Sequence, residues 1–153
     1  VVDQTRIDLR GGVSNPTDLI EDIRVALTYN DYQHQEIEGN GEVGTTFSND
    51  GWEGRVELVH GDINGFLGAI GVQFEDSTFS AIGAEGFIPT TDINRLGVFL
   101  VEDFHTDSAI YEVAVRIDRD KYDAQAGLGE ESFSSYSFST SGKWEVGNNW
   151  HLG

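Results

Sequence analysis

From Ile20 to Gly61 the chain alternates apolar and polar residues, breaks in a glycine-rich patch, then alternates again, and no other feature restricts its fold as tightly. Successive side chains of an extended strand point to opposite faces, so a period of two gives each strand one apolar and one polar side. The rhythm holds almost throughout. In the first segment Thr5, Ile7, Leu9 and Val13 share a face opposite Arg6, Asp8 and Arg10. In the second, Ile23, Val25, Leu27 and Tyr29 oppose Arg24, Thr28, Asn30, Tyr32, His34 and Glu36. In the third, Trp52, Val56 and Leu58 oppose Glu53, Arg55 and Glu57. Phe66, Ile70, Val72 and Phe74 follow, opposite Ala69, Gly71, Gln73 and Glu75. The fifth segment sets Leu96, Val98 and Leu100 on one face but carries Phe99 and Val101 among Arg95 and Asp103 on the other, so it alternates least cleanly. Tyr111, Val113, Val115 and Ile117 oppose Glu112, Arg116, Asp118 and Asp120 in the sixth. In the seventh, Tyr136, Phe138, Trp144 and Val146 oppose a serine ladder with Lys143 and Glu145, and Trp150 to Gly153 reads as the start of one more strand.

This pattern predicts an all-β fold, an antiparallel up-and-down meander of long strands. The connections read as compact at "SNPTD", "GDING", "HTDSA" and "GNN", and longer at "EGNGEVG", "AIGAEGFIPTTD" and "AGLGEE". Short turns at one end and long loops at the other suit a membrane barrel, as do strands well beyond the ~5–6 residues usual in globular sheets. Aromatics at Tyr29, Trp52, Phe66, Phe74, Tyr111 and Trp144 are expected near strand ends, where interfacial girdles lie. Alternation alone also fits a soluble sandwich, whose polar face meets bulk water and whose apolar face meets a second sheet. In that alternative the chain is a ligand-binding module, for carbohydrate for example, with Trp52, Trp144 or Trp150 as stacking platforms.

Composition removes several function classes. A formal net charge of -18, from 27 acidic and 9 basic residues, opposes binding to nucleic acid, whose phosphates are repelled. The absence of cysteine excludes disulfides, zinc–thiolate sites and thiol nucleophiles. No apolar run reaches the ~18 residues of a membrane helix, a test to which strands that alternate are invisible. Methionine is absent even at position 1, so the chain is expected to begin after processing or inside a larger protein.

The stretch "YNDYQHQEIEGNGEVGTTFSNDGWEGRVELVHG", with the later "GAIGVQFEDSTFSAIGAEGFIPTTDINRLGVFLVED", resembles the β-barrel of TonB-dependent outer-membrane receptors. The resemblance extends over nearly the whole chain, is strongest from about Asp22 to Asp103, and within the family is closest to the zinc- or haem-acquisition subgroup. It implies a location in the bacterial outer membrane and a barrel of roughly 22 strands around a plugged lumen. Residues 1–153 would be a single barrel fragment of about seven to eight strands without the plug domain. The partners implied are the lipid bilayer, and the plug and TonB in the full-length protein. The substrate implied is a metal or metal chelate: zinc, haem or a siderophore. The unpaired edges of an incomplete barrel also favour self-association, which makes a self-assembling β-structural protein a further alternative.

The sharpest local candidate is a metal site. His34 and Glu36 lie two positions apart on one face of an extended strand, with Asp31 and Glu38 close by, and imidazole with carboxylate suits zinc. The competing reading is a solvated strand end beside an acidic loop. His60, His105 and His151 fall at or near turns without paired spacing and read as surface residues. No catalytic constellation is visible. Pairs such as Glu53 and Glu57 are explained by a ladder with Arg55, the serines from 132 to 141 lack a nucleophile-elbow context, and "GNGEVG" has no following helix to cradle a phosphate.

Overall fold

The computed structural model describes residues 1–84, 86, 88–145 and 151–152. It is one antiparallel sheet in which each strand pairs with the next in sequence: β1 (Val2–Ser14), β2 (Ile20–Ile37), β3 (Val43–Ile63), β4 (Phe66–Gly83), β5 (Thr91–His105), β6 (Ala109–Ala124), β7 (Gly129–Glu145) and β8 (His151–Leu152). Val146 and Trp150 lie outside the described residues.

The register carries the sequence pattern across the sheet. Val25, Val56, Val72, Val98, Ile117 and Tyr136 face one another in turn on six strands. So do Ile23, Leu58, Ile70, Leu100, Val115 and Phe138 in the next row. Because side-chain direction alternates along each strand, this fixes one apolar and one polar face for the whole sheet.

No second layer covers either face among the described residues. The chain exposes 10606 Å², against about 7,700 Å² for a globular monomer of 16.8 kDa. On the apolar face Val98 is 46% exposed, Ile117 54% and Phe138 68%, whereas the buried apolar residues are Ala81, Phe99 and Ala109. Phe99, one of the residues that disturbs the alternation of β5, is thus the one large buried apolar side chain among them, and it lies on the polar face.

Two expectations about strand ends are corrected. The strands run further than the sequence suggests, β3 to 21 residues and β2 and β4 to 18 each. They absorb much of the expected loops. The connections between strands are residues 15–19, 64–65 and 106–108 at one end and 38–42, 84–90 and 125–128 at the other, so the two ends differ less than expected. Tyr29, Trp52 and Phe74 accordingly stand within strands rather than at their ends. The tightest connection is Asn64–Gly65, with φ of 58° and 90°, the paired positive values that a two-residue hairpin turn needs and that Asn-Gly supplies. Asp62 Oδ1 accepts the Gly65 N–H at 3.0 Å.

Candidate functional site

The apolar face is bounded by aromatic rows. Midway along β2 and β3, on the side toward the longer connections, Tyr29 and Trp52 pair with ring centroids 4.9 Å apart. At the opposite end, Phe66 packs on Phe104 at 4.8 Å, and Tyr111 meets Trp144 edge-on at 5.8 Å. The Trp144 Nε1–H donates to the Tyr111 hydroxyl at 3.2 Å. From Phe66 to Phe74 along β4 is roughly 27 Å at ~3.4 Å per residue, or roughly 21 Å across a bilayer at a ~40° tilt, close to the ~25 Å apolar band of membrane barrels. Beyond Tyr29 and Trp52 the same face turns polar, with Asp31, Gln33 and Gln35 on β2 and Asp50, Ser48 and Thr46 on β3.

The polar face is a lattice of ion pairs. Arg24 bonds Asp22 at 2.8 Å and Glu57 at 3.1 Å, and Arg55 holds Glu57 at 2.6 Å. Arg95 bonds Glu75 at 2.9 Å and donates to the Tyr122 hydroxyl at 3.1 Å, and Arg116 bonds Asp118 at 2.6 Å. Seven of the 9 basic residues lie on this face, Arg119 and Lys121 being the exceptions. Against a chain so acidic, that segregation gives this face most of the positive charge. Arg10, Arg24, Arg55 and Glu57 border an open hollow of about 570 Å³ on the side of β1. The Phe99 ring covers Gly71, and the Arg55 guanidinium caps it at 4.2 Å from the centroid.

The four candidate metal residues are placed unevenly. His34 and Glu36 share the polar-face parity of β2, where His34 faces Phe47 and Glu36 faces Thr45 across the ladder. Asp31 has the opposite parity and faces Asp50, and Glu38 lies past the strand, its carboxylate beside Gly44. The His34 ring stacks on Phe47 with centroids 4.6 Å apart and planes 8° apart, with Tyr32 at 5.7 Å. His34 Nδ1 is buried without a hydrogen-bond partner. Among the described residues no group of three or more His, Asp or Glu gathers closely enough to hold a metal ion.

A contact that spacing alone does not reveal joins His60 and Glu102, 42 residues apart. His60 Nε2 lies 3.1 and 3.2 Å from the two Glu102 carboxylate oxygens. The two residues flank Gly68 on the apolar face, one row inside Phe66 and Phe104. The usable signal was parity: His60 continues the apolar positions of Val56 and Leu58, and Glu102 those of Val98 and Leu100. His105 donates its backbone N–H to Gly65 O at 2.9 Å, holding the adjacent turns together. His151 pairs with Glu145 in the β7–β8 ladder.

No family model matches the sequence. Among solved structures the fold is similar to that of a protein described as "Copper transporter OprC", with a TM-score of 0.71, 12% sequence identity and 96% of this chain covered. The match takes in 28% of that chain, so these 153 residues correspond to less than a third of its length. At such identity the likeness is one of fold, a long-stranded antiparallel meander.

Proposed function

We propose that this chain is a section of the wall of a bacterial outer-membrane receptor of the TonB-dependent kind, which takes up a metal or metal chelate. In this reading the apolar face meets lipid, and the polar face lines a lumen filled by water and a plug domain, with TonB supplying energy to the whole receptor. Zinc, haem and siderophores are the candidate cargoes. Copper joins them only through the name of the structural neighbour. His34 and Glu36 would meet cargo on the part of β2 that projects past the Tyr29–Trp52 row. No role in bond-making chemistry is assigned.

The observation that carries this reading is the uncovered apolar band, with aromatic pairs toward both of its ends. In water such a face is a liability of many exposed branched side chains, whereas in a bilayer it is the required surface, since closed barrels are one of the two structures that satisfy all backbone groups there. The fold likeness supports it independently.

Size-exclusion with light scattering, together with circular dichroism, with and without detergent, tests the reading. Folded β structure that needs detergent is the expected result. The open ladder edge of β1 should also drive association between copies. A folded monomer in plain buffer would sink the lipid-facing assignment and favour the soluble binding module.

A further inference from the structure

We infer that Arg119 and Lys121 form a site for the phosphate of an anionic lipid headgroup, on the outward surface of β6 just beyond the apolar band. The inference rests on the lipid-facing reading of that surface and adds to it the class of lipid that β6 selects. These two residues are the exceptions to the segregation of charge. The other seven basic side chains share the polar face, whereas Arg119 and Lys121 continue the line of Val113, Val115 and Ile117 on the apolar one.

The course of the band fixes their level. Its limit toward the longer connections runs through Tyr29 and Trp52, then Phe74 and Leu96, then Ile117 and Tyr136. The ladder partner of Trp52 is Asp76 and that of Leu96 is Arg119, so this limit recedes two residues for every two strands crossed. Two residues at ~3.4 Å against two strand spacings of ~4.8 Å give an incline of about 35°, the tilt at which the strands of membrane barrels cross a bilayer. The opposite limit recedes the same way. It leaves Ile23 on β2, passes the register shifts between Ile20 and Asp22 and between His60 and Ile63, and reaches Phe66, Phe104 and finally Trp144 on β7. A band of even height laid obliquely across the ladder matches a bilayer meeting tilted strands, and Arg119 is the first residue on that face of β6 beyond it.

The same level on the neighbouring strands holds Asp31, Asp50, Asp76, Asn94 and Ser134, so positive charge enters it at β6 alone among the described residues. Arg119 makes no hydrogen bond or ion pair among those residues. Lys121 Nζ holds Glu130 at 2.6 Å, which uses one of its three donors. Two cations two residues apart on one face repel each other, and Glu130 reaches one of them. A phosphate accepts from both, with the paired N–H groups of the guanidinium matching two of its oxygens. Ser134 beside Arg119 and Ser132 beside Lys121 bring hydroxyls to the same place. Asp92, Asp123 and Glu130 stand side by side one step further from the band. A phosphate anchored in the membrane therefore meets the cations first, while one arriving from solution has to pass the carboxylates.

The test is made on the chain reconstituted in phosphatidylcholine vesicles with a minor share of phosphatidic acid. Tyr136, next to Ile117 and 77% exposed, is the reporter position: Tyr136→Trp is read with the native tryptophans replaced by phenylalanine, and each variant is checked by circular dichroism. Phosphatidic acid with brominated acyl chains should quench this reporter with an apparent affinity at least about fivefold that of brominated phosphatidylcholine, the scale of one Lys or Arg at a membrane surface. The preference should weaken with added salt, vanish when Arg119→Gln and Lys121→Gln are combined, and persist in Arg10→Gln on the polar face. With Trp52 kept as the reporter instead, beside Asp50 and Asp76, no preference for phosphatidic acid should appear. Equal quenching by the two lipids at position 136, a comparison that leaves Arg119 and Lys121 untouched, overturns the inference while lipid contact stands. Quenching by neither overturns the lipid-facing reading, and the site with it. A preference that survives the loss of both cations also overturns the site.

Discussion

The guanidinium of Arg55 sits 4.2 Å from the centroid of the Phe99 ring, on the face of the sheet otherwise given to ion pairs. Phe99 is 8% exposed, held between that cation and the bare backbone of Gly71. The pair shows how a single-layer sheet makes a local core: a ring is laid flat over a glycine and closed by a long charged side chain whose stem is apolar.

Removing that ring should be costly. Phe99→Ala is expected to destabilise the folded chain by about 3 kcal/mol, the scale for truncating a buried aromatic, with about 0.5–1 kcal/mol of it from the cation–π contact. Gly71→Ala should also destabilise, because its Cβ would enter the ring of Phe99 and approach the Val56 carbonyl oxygen at 2.9 Å. Urea unfolding followed by tryptophan fluorescence would measure both, and a neutral Gly71→Ala would contradict the packing described.

Parity should govern the cost of a charge. Val98→Arg, in the middle of the apolar face, is expected to lose about 2–4 kcal/mol of folding stability in a bilayer. Ser139→Arg, on the polar face, should change it by less than about 0.5 kcal/mol. Equal losses at the two positions, measured by folding into lipid vesicles, would remove the distinction between faces.

The aromatic rows make a prediction about depth. With Trp52 or Trp144 as the one tryptophan kept, brominated lipids labelled near the headgroup should quench its emission more strongly than those labelled near the bilayer centre, and aqueous iodide should quench it weakly. Tyr111→Phe removes the acceptor of the Trp144 N–H at 3.2 Å and should raise the mobility of that indole. Strong iodide quenching of both residues would place the rows in water.

His34 should be replaceable at a gain in stability. Its buried Nδ1 has no partner, a loss of about 1–3 kcal/mol for such a group, while its ring stacks on Phe47. His34→Phe keeps a ring there and discards the orphan atom, so the chain is expected to become more stable by about 1 kcal/mol. A marked loss in thermal melting would mean that Nδ1 has a partner in solution.

The two faces were legible because period two is a local physical signal: placing Ile23, Val25, Leu27 and Tyr29 on one side requires no knowledge of neighbours. Strand ends were less so. Val43, Ala81, Thr91 and Asp92, which pair within the ladder, read as loop because they stand among the glycines and polar residues where the alternation lapses. The His60–Glu102 contact lay hidden for another reason, since meeting across an intervening strand depends on two registers at once. The spacing of His34 and Glu36 placed both on one face, but gave no sign that Phe47 would take one side of the imidazole.

A sheet one layer thick has only local cores such as that of Phe99 to protect, and that changes how such a chain can vary. In a globular protein a substitution at a core position is felt by neighbours from several elements. Here neighbouring positions on a strand belong to different environments, and their side chains do not meet. The two surfaces can therefore diverge at alternate codons, each following its own surroundings, with the shared backbone ladder as the common constraint. A single-residue insertion within a strand exchanges the two records downstream of it, unless the chain accommodates it as a bulge like those beside His60.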